Sequence, residues 1–124
     1  MTQQRIEKFE DLKIWQESIR LSIDLYKALE AIRDYGLRDQ IQRASVSIPS
    51  NIAEGFDRQS NKEFIRFLRI AKGSCAELRT QLIIAQRIGI KTIKDEYIEK
   101  TKQVSGMIQK IINYRVKLNK KQEA

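Results

Sequence analysis

Lys62, Arg66 and Arg69 stand at i, i+4 and i+7 in a stretch rich in helix formers. On a helix that spacing lines three cations along one face, where they could track successive phosphates of a nucleic acid. Such contacts give affinity without sequence readout. Arg58 precedes the row and Arg87 follows it on the same outer side, while Lys72 and Arg79 fall closer to the core boundary. A second cationic run comprises Lys102, Lys110, Lys117, Lys120 and Lys121, with no acid between Lys100 and Gln122. Acids early and lysines late are also what a helix dipole favours, and arginine suits phosphate geometry better. The arginine-bearing face is therefore the stronger candidate.

Other chemistry is poorly provided for. Glu54 and Glu77 resemble the carboxylates of di-metal bundles, but those sites want Glu-x-x-His pairs and the chain has no histidine. No metal ligand set and no cofactor are expected, and the two acids are expected to pair with Arg43, Arg66 or Arg69 at the edge of the core. Cys75, the single cysteine, lies on an apolar stripe and lacks an activating base, which makes it a small core residue. Glycine-rich phosphate loops, serine-nucleophile elbows and zinc spacings are missing. A non-enzymatic, binding role is the expectation, with a structural oligomer that has no nucleic-acid partner as an alternative. The formal charge of +8, from 24 Lys plus Arg against 16 Asp plus Glu, favours polyanionic partners. No leader and no long apolar run is present, so a cytoplasmic protein without a membrane partner is expected.

These side chains need a scaffold, and the punctuation of the sequence supplies one. The 124 residues fit one domain, with only five Gly and one Pro to interrupt helices. Asp11 can cap a first helix over 11–33, ended by Asp34-Tyr35-Gly36; a second spans 37–55 and stops at Gly55 in a left-handed conformation. Ser60-Asn61-Lys62-Glu63 is a capping box opening a third helix over 60–88, ended by Gly89. Thr92 and Asp95 repeat that pattern and open a fourth over 92–118. Residues 1–8 and 119–124 are expected to be flexible. Connections of a few residues imply an all-α, antiparallel, up-down-up-down four-helix bundle.

Helix 1 is apolar on two sides. At about 100° per residue, Leu12, Trp15, Ile19, Ile23 and Tyr26 form one stripe, taken to face the core. Ile14, Leu21, Leu25, Ala28 and Ile32 form another nearly opposite. A lone bundle buries only one, so the second is expected to be an oligomer interface. Helix 3 is expected to bury Phe64, Phe67, Leu68, Ala71, Cys75, Leu78, Leu82 and Ala85, whereas helix 4 spreads its apolar residues, with Val104, Ile108 and Ile111 on one side and Ile98, Ile112 and Val116 well round from it. In helix 2, Pro49 removes a backbone donor and predicts a kink, with Ser45, Ser47 and Ser50 available to the freed backbone groups.

Several of these segments carry a resemblance. They are Phe9 with Asp11 to Gln16, Gln40 to Ser45, Ser47 to Phe56, Lys62 to Ala71, Gly73-Ser74, Ala76 to Leu78 and Thr80 to Leu82. Together they resemble the four-helix-bundle family encoded in intervening sequences of bacterial large-subunit (23S) ribosomal RNA genes, over about residues 9–89. The resemblance implies a ring-like homopentamer and a non-enzymatic role. Distantly similar bundles, the accessory variability determinants of diversity-generating retroelements, imply an alternative: docking to a reverse transcriptase and its nucleic acid. Ile32-Arg33-Asp34 runs directly into Tyr35-Gly36, where many members have a longer connection with Phe-Pro, and the fourth helix carries no motif of the family.

Overall fold

The computed structural model describes residues 5–123, and within them every regular element is helical. A single 3-10 turn, Phe9–Asp11, leads into α1 (Lys13–Leu29), α2 (Tyr35–Asp57), α3 (Asn61–Arg87) and α4 (Asp95–Glu123). Residues 1–4 and 124 of the expected flexible ends lie outside the described residues. The lysine-rich tail from residue 119 to 123 continues α4 rather than leaving it at 118.

The helix ends follow local hydrogen bonding, not always at the expected residue. Asp11 belongs to the 3-10 turn, and α1 begins two residues later behind Leu12, whose N–H donates to the Phe9 carbonyl. The turn is held there by the Phe9 ring tilted against Trp15 at 5.4 Å and by Gln16 Nε2 donating to the Glu10 carbonyl. Asp34 does not terminate α1 but caps α2, accepting from the Leu37 N–H at 3.1 Å. Ser60 caps α3 as expected, its Oγ accepting from the Glu63 N–H. Gly89, at φ +98°, closes it. Asp95 rather than Thr92 opens α4, held by Gln86 Nε2, which donates to Asp95 Oδ1 at 2.8 Å and to the Ile93 carbonyl.

Gly55 is the plainest departure. It is buried inside α2, and a Cβ built on it would lie 2.5 Å from the Phe67 Cβ and 3.3 Å from the Phe64 Cδ1. Glycine is there because α2 and α3 meet backbone to side-chain root, not to end a helix. Pro49 is likewise buried, and α2 passes through it without a break. Two of the three serines expected to serve its freed backbone groups, Ser45 and Ser47, are engaged elsewhere, and Ser50 is exposed. Ser45 Oγ donates to the Gln42 carbonyl and stands 3.2 Å from Ser22 Oγ of α1. Ser47 Oγ stands 2.9 Å from Ser74 Oγ, which reaches the Ile70 carbonyl of α3. These hydroxyls tie α2 to both neighbours.

Leu12 is buried as expected, but the rest of the two α1 stripes are exchanged relative to expectation. Ile14, Leu21 and Leu25 are buried in the chain's own core, with Leu29 beside them and Ala28 and Ile32 packed against it. Ile14, Leu21 and Leu25 therefore have no surface to offer a subunit contact. Ile23 is 51% exposed and Tyr26 47%, with Trp15 and Ile19 half-buried. The inward stripe looks less apolar in sequence because it contains Ser18 and Ser22. Both are buried, yet Ser18 Oγ donates to the Trp15 carbonyl and Ser22 meets Ser45, so their burial carries little cost. The expected core face of α3 is buried throughout. On α4, Val104, Ile108, Ile98 and Ile112 are buried, and Ile111 is half-buried instead.

The helices pack in chain order: α2 extensively along α3, α3 on α4, α1 on α2, and α1 more briefly on α4. Among the described residues α1 does not pack on α3, nor α2 on α4. The α1/α2 groove and the α3/α4 groove are therefore on opposite sides of the molecule.

Candidate nucleic-acid interface

The arginines nearest the start of α3 are largely spoken for. Arg58 Nη2 lies 3.1 Å from Glu54 Oε1 and its Nη1 3.4 Å from Glu63 Oε1. Arg66 Nε lies 2.7 Å from Glu63 Oε2, and its Nη2 also donates to Oε1 at 3.3 Å. Both guanidinium groups sit over the Phe67 ring, at 5.0 and 4.5 Å. The hydrogen bond from Arg66 holds the Glu63 carboxyl below the usual range, and Glu63 in turn raises the Arg66 guanidinium further. Two cations and two acids thus make a locally neutral, exposed cluster. This corrects the expected partners: Glu54 meets Arg58, and Glu77 accepts a long hydrogen bond from Gln81 Nε2 at 3.4 Å, both acids being exposed. The Glu63–Arg66 spacing of i, i+3 was the signal for it.

Along the same helix the charge is uncompensated. Arg69, Lys72 and Arg79 line a groove of about 570 Å³ against Ser105, Gln109 and Ile112 of α4. Positions 69, 72, 76 and 79 fall within one quadrant of α3 at helical periodicity. The small residues among them, Gly73 and Ala76, keep the floor low, and a Cβ at Gly73 would meet nothing within 4 Å. No carboxylate lines the groove, and among the described residues none lies within 4.0 Å of the three cations. Lys72 and Arg79 are half-buried, and side chains of this kind pack their stems on apolar surface while their charged heads stay in water. Their charge also reaches Cys75. That thiol is pushed up to about 12 by burial, with Arg79 and Lys72 pulling against the shift.

The structure thus brings Arg69 together with Lys72 and Arg79, which helical periodicity places closer to the core boundary. Lys62 is exposed nearby on the crest of α3, without a carboxylate partner among the described residues. Arg87 is exposed at the far end and does not line the groove. On α4, Lys102 pairs with Glu99 at 3.1 Å, whereas Lys110 and Lys117 are exposed and also stand outside the groove. Among the described residues no three His, Cys, Asp or Glu side chains cluster as a metal site would require. Among the described residues, no helix is long and apolar enough to cross a membrane.

Comparison with known proteins adds a family model, described as 23S rRNA-intervening sequence protein, that matches residues 10–113. The match extends into α4, where no family motif is legible residue by residue. A solved structure from Bacteroides thetaiotaomicron VPI-5482, described as a protein with unknown function from the S23 ribosomal protein family, is also similar. It is 27% identical, with a TM-score of 0.64, over 80% of this chain and 94% of that one. No curated protein matches.

Proposed function

The chain belongs to the 23S rRNA-intervening sequence protein family, and we propose that within it this bundle binds nucleic acid sequence-independently, without catalysis, along the α3/α4 groove. The observation that carries this reading is the groove itself: Arg69, Lys72 and Arg79 around a concave surface that no acid lines. Arg69 and Arg79 are ten residues apart, about 15 Å along a helix, enough to engage more than one phosphate of a backbone. Two of the three cations carry the planar fork that suits phosphate oxygens. Lys62 on the crest extends the same positive field.

The test is binding of unspecific RNA and DNA by fluorescence anisotropy across a salt series. The Arg69→Glu/Arg79→Glu variant is expected to bind more weakly and to lower the slope of log affinity against log salt by roughly 2, with its helix content unchanged. Absence of binding by the wild type at low salt overturns the proposal.

A second reading, compatible with the first, is self-association through the α1/α2 side. Ile23, Tyr26 and Val46 are exposed there beside half-buried Trp15 and Ile19, and contiguous apolar surface of this kind marks a subunit contact. Because that side is opposite the α3/α4 groove, an assembly closed through it keeps the cations outward. Five copies in a ring is the arrangement the family resemblance implies. The helices are read as alternating in direction: Asn61 at the start of α3 meets Arg115 near the end of α4, while Gln86 at the end of α3 meets Asp95 at the start of α4.

A further inference from the structure

At the end of the bundle where α3 begins, a cavity of about 720 Å³ opens between the α2–α3 turn, the end of α4 and the segment before α1. Its size is that of a small-molecule site. Three aromatic rings line it: Phe56 and Phe64, set edge to face at 5.7 Å, and Tyr114, which is 60% exposed. Arg115 is held in place among them. Its guanidinium sits 5.0 Å from the Phe64 ring centroid, its Nη1 donates to Asn61 Oδ1 at 3.4 Å, and its carbonyl accepts from Asn61 Nδ2 at 2.8 Å.

The charge of this cavity differs from that of the groove. Arg5 and Arg115 are balanced by Glu7 and Asp57 in its lining, so no net field draws a phosphate there. The exposed Tyr114 ring, with amide, guanidinium and carboxylate groups around it, instead matches a nucleobase, which has a π-face on each side and hydrogen-bonding groups around its rim. The cavity lies beyond the end of the groove, where Asn61 and Arg115 join α3 to α4. From Arg69 back to Asn61 is eight residues, about 12 Å along α3, and on α4 Gln109 and Ile112 lead toward Arg115.

We infer that this end cavity receives one unpaired base of a strand bound in the α3/α4 groove, stacked on Tyr114, which makes the protein hold single-stranded nucleic acid more tightly than duplex. The inference rests on the groove reading. Because a base can enter only unpaired, a duplex engages the groove alone. Tyr114 is the contact to test, since its exposure means that its removal leaves the core intact.

The experiment compares wild type, Tyr114→Ala and Tyr114→Phe for affinity toward a 12-nucleotide oligoadenylate RNA (~12 nucleotides being near the upper range of a single-strand site) and toward inorganic polyphosphate, a polyanion without bases. Tyr114→Ala is expected to weaken RNA binding about 5- to 150-fold, the range of one base–aromatic stack, and to leave polyphosphate binding unchanged. Tyr114→Phe keeps the ring and retains RNA affinity. Equal RNA affinity of Tyr114→Ala and wild type, or parallel loss of both ligands, overturns the inference while the groove reading stands on its polyphosphate binding. If wild type holds neither ligand at low salt, both readings fall.

Discussion

Replacing Gly55 by alanine tests the packing of α2 on α3 at one atom. The added Cβ would stand 2.5 Å from the Phe67 Cβ, against about 3.5–4.0 Å for an ordinary carbon–carbon contact. The opposing atom is bonded to the backbone and cannot swing aside, so the helices must part by about 1–1.5 Å. Overpacking of this kind costs about 1–3 kcal/mol, while alanine regains about 0.5–1 kcal/mol over glycine inside a helix. Gly73→Ala isolates the clash. Gly73 is also mid-helix, but its new Cβ meets nothing within 4 Å, so it collects the propensity gain alone. Urea unfolding of the two variants should therefore place Gly73→Ala above wild type and Gly55→Ala below Gly73→Ala by about 1–3 kcal/mol. In a chain of this length that is roughly 3–15 °C in Tm between them. Gly55→Asn should be worse still, because it is larger. At a left-handed helix end asparagine would be the gentler replacement, so asparagine outranking alanine, or Gly55→Ala matching Gly73→Ala, would refute the close-approach argument.

If the exposed face of α1 joins copies of the chain, Ile23→Glu combined with Tyr26→Glu should reduce the mass measured by sedimentation to that of one chain with its helical circular dichroism unchanged; a wild type that is already monomeric at micromolar concentration removes the claim. Cys75 is 1% exposed and its thiol is pushed up to about 12, so at pH 8 only about one molecule in ten thousand carries the reactive thiolate. Alkylation by iodoacetamide should be negligible in the native protein and complete in guanidinium chloride, and rapid native labelling would contradict the burial.

The four helices were legible because their signals are local. Ser60 with Glu63, and Gly89 after Ile88, act within one turn of chain, and the α3 core face repeats apolar residues on one side only. What was illegible depended on contacts between segments. On α1 both stripes are apolar, and intrinsic pattern does not say which one a neighbour covers. The decision lay with Ser18 and Ser22, which read as polar in isolation and become neutral to burial once Trp15 and Ser45 supply partners. Gly55 failed for the same reason. A glycine near a helix end is usually a terminator, and only the position of Phe67 reveals a steric requirement. Pro49 predicted unsatisfied backbone, yet Ser45 and Ser47 serve interhelical bonds.

The same logic governs which charges are available for binding. Cations on the crest of a helix are within reach of acids one turn away, and α3 and the end of α2 supply Glu54 and Glu63 at those spacings, so Arg58 and Arg66 neutralise locally. A cation on the flank of a helix faces the next helix instead, and its fate depends on what that helix offers. Opposite Arg69, Lys72 and Arg79, α4 offers Ser105, Gln109 and Ile112, none of which can cancel a charge. Apart from Glu123 at its last residue, the α4 acids are confined to its first turns, where Glu99 takes Lys102 and Asp95 accepts from Gln86. A positive groove therefore results from keeping carboxylates out of one interhelical seam rather than from adding lysines. An acid introduced there, Gln109→Glu, would cancel more of the proposed binding surface than the loss of any solvent-exposed lysine on α4.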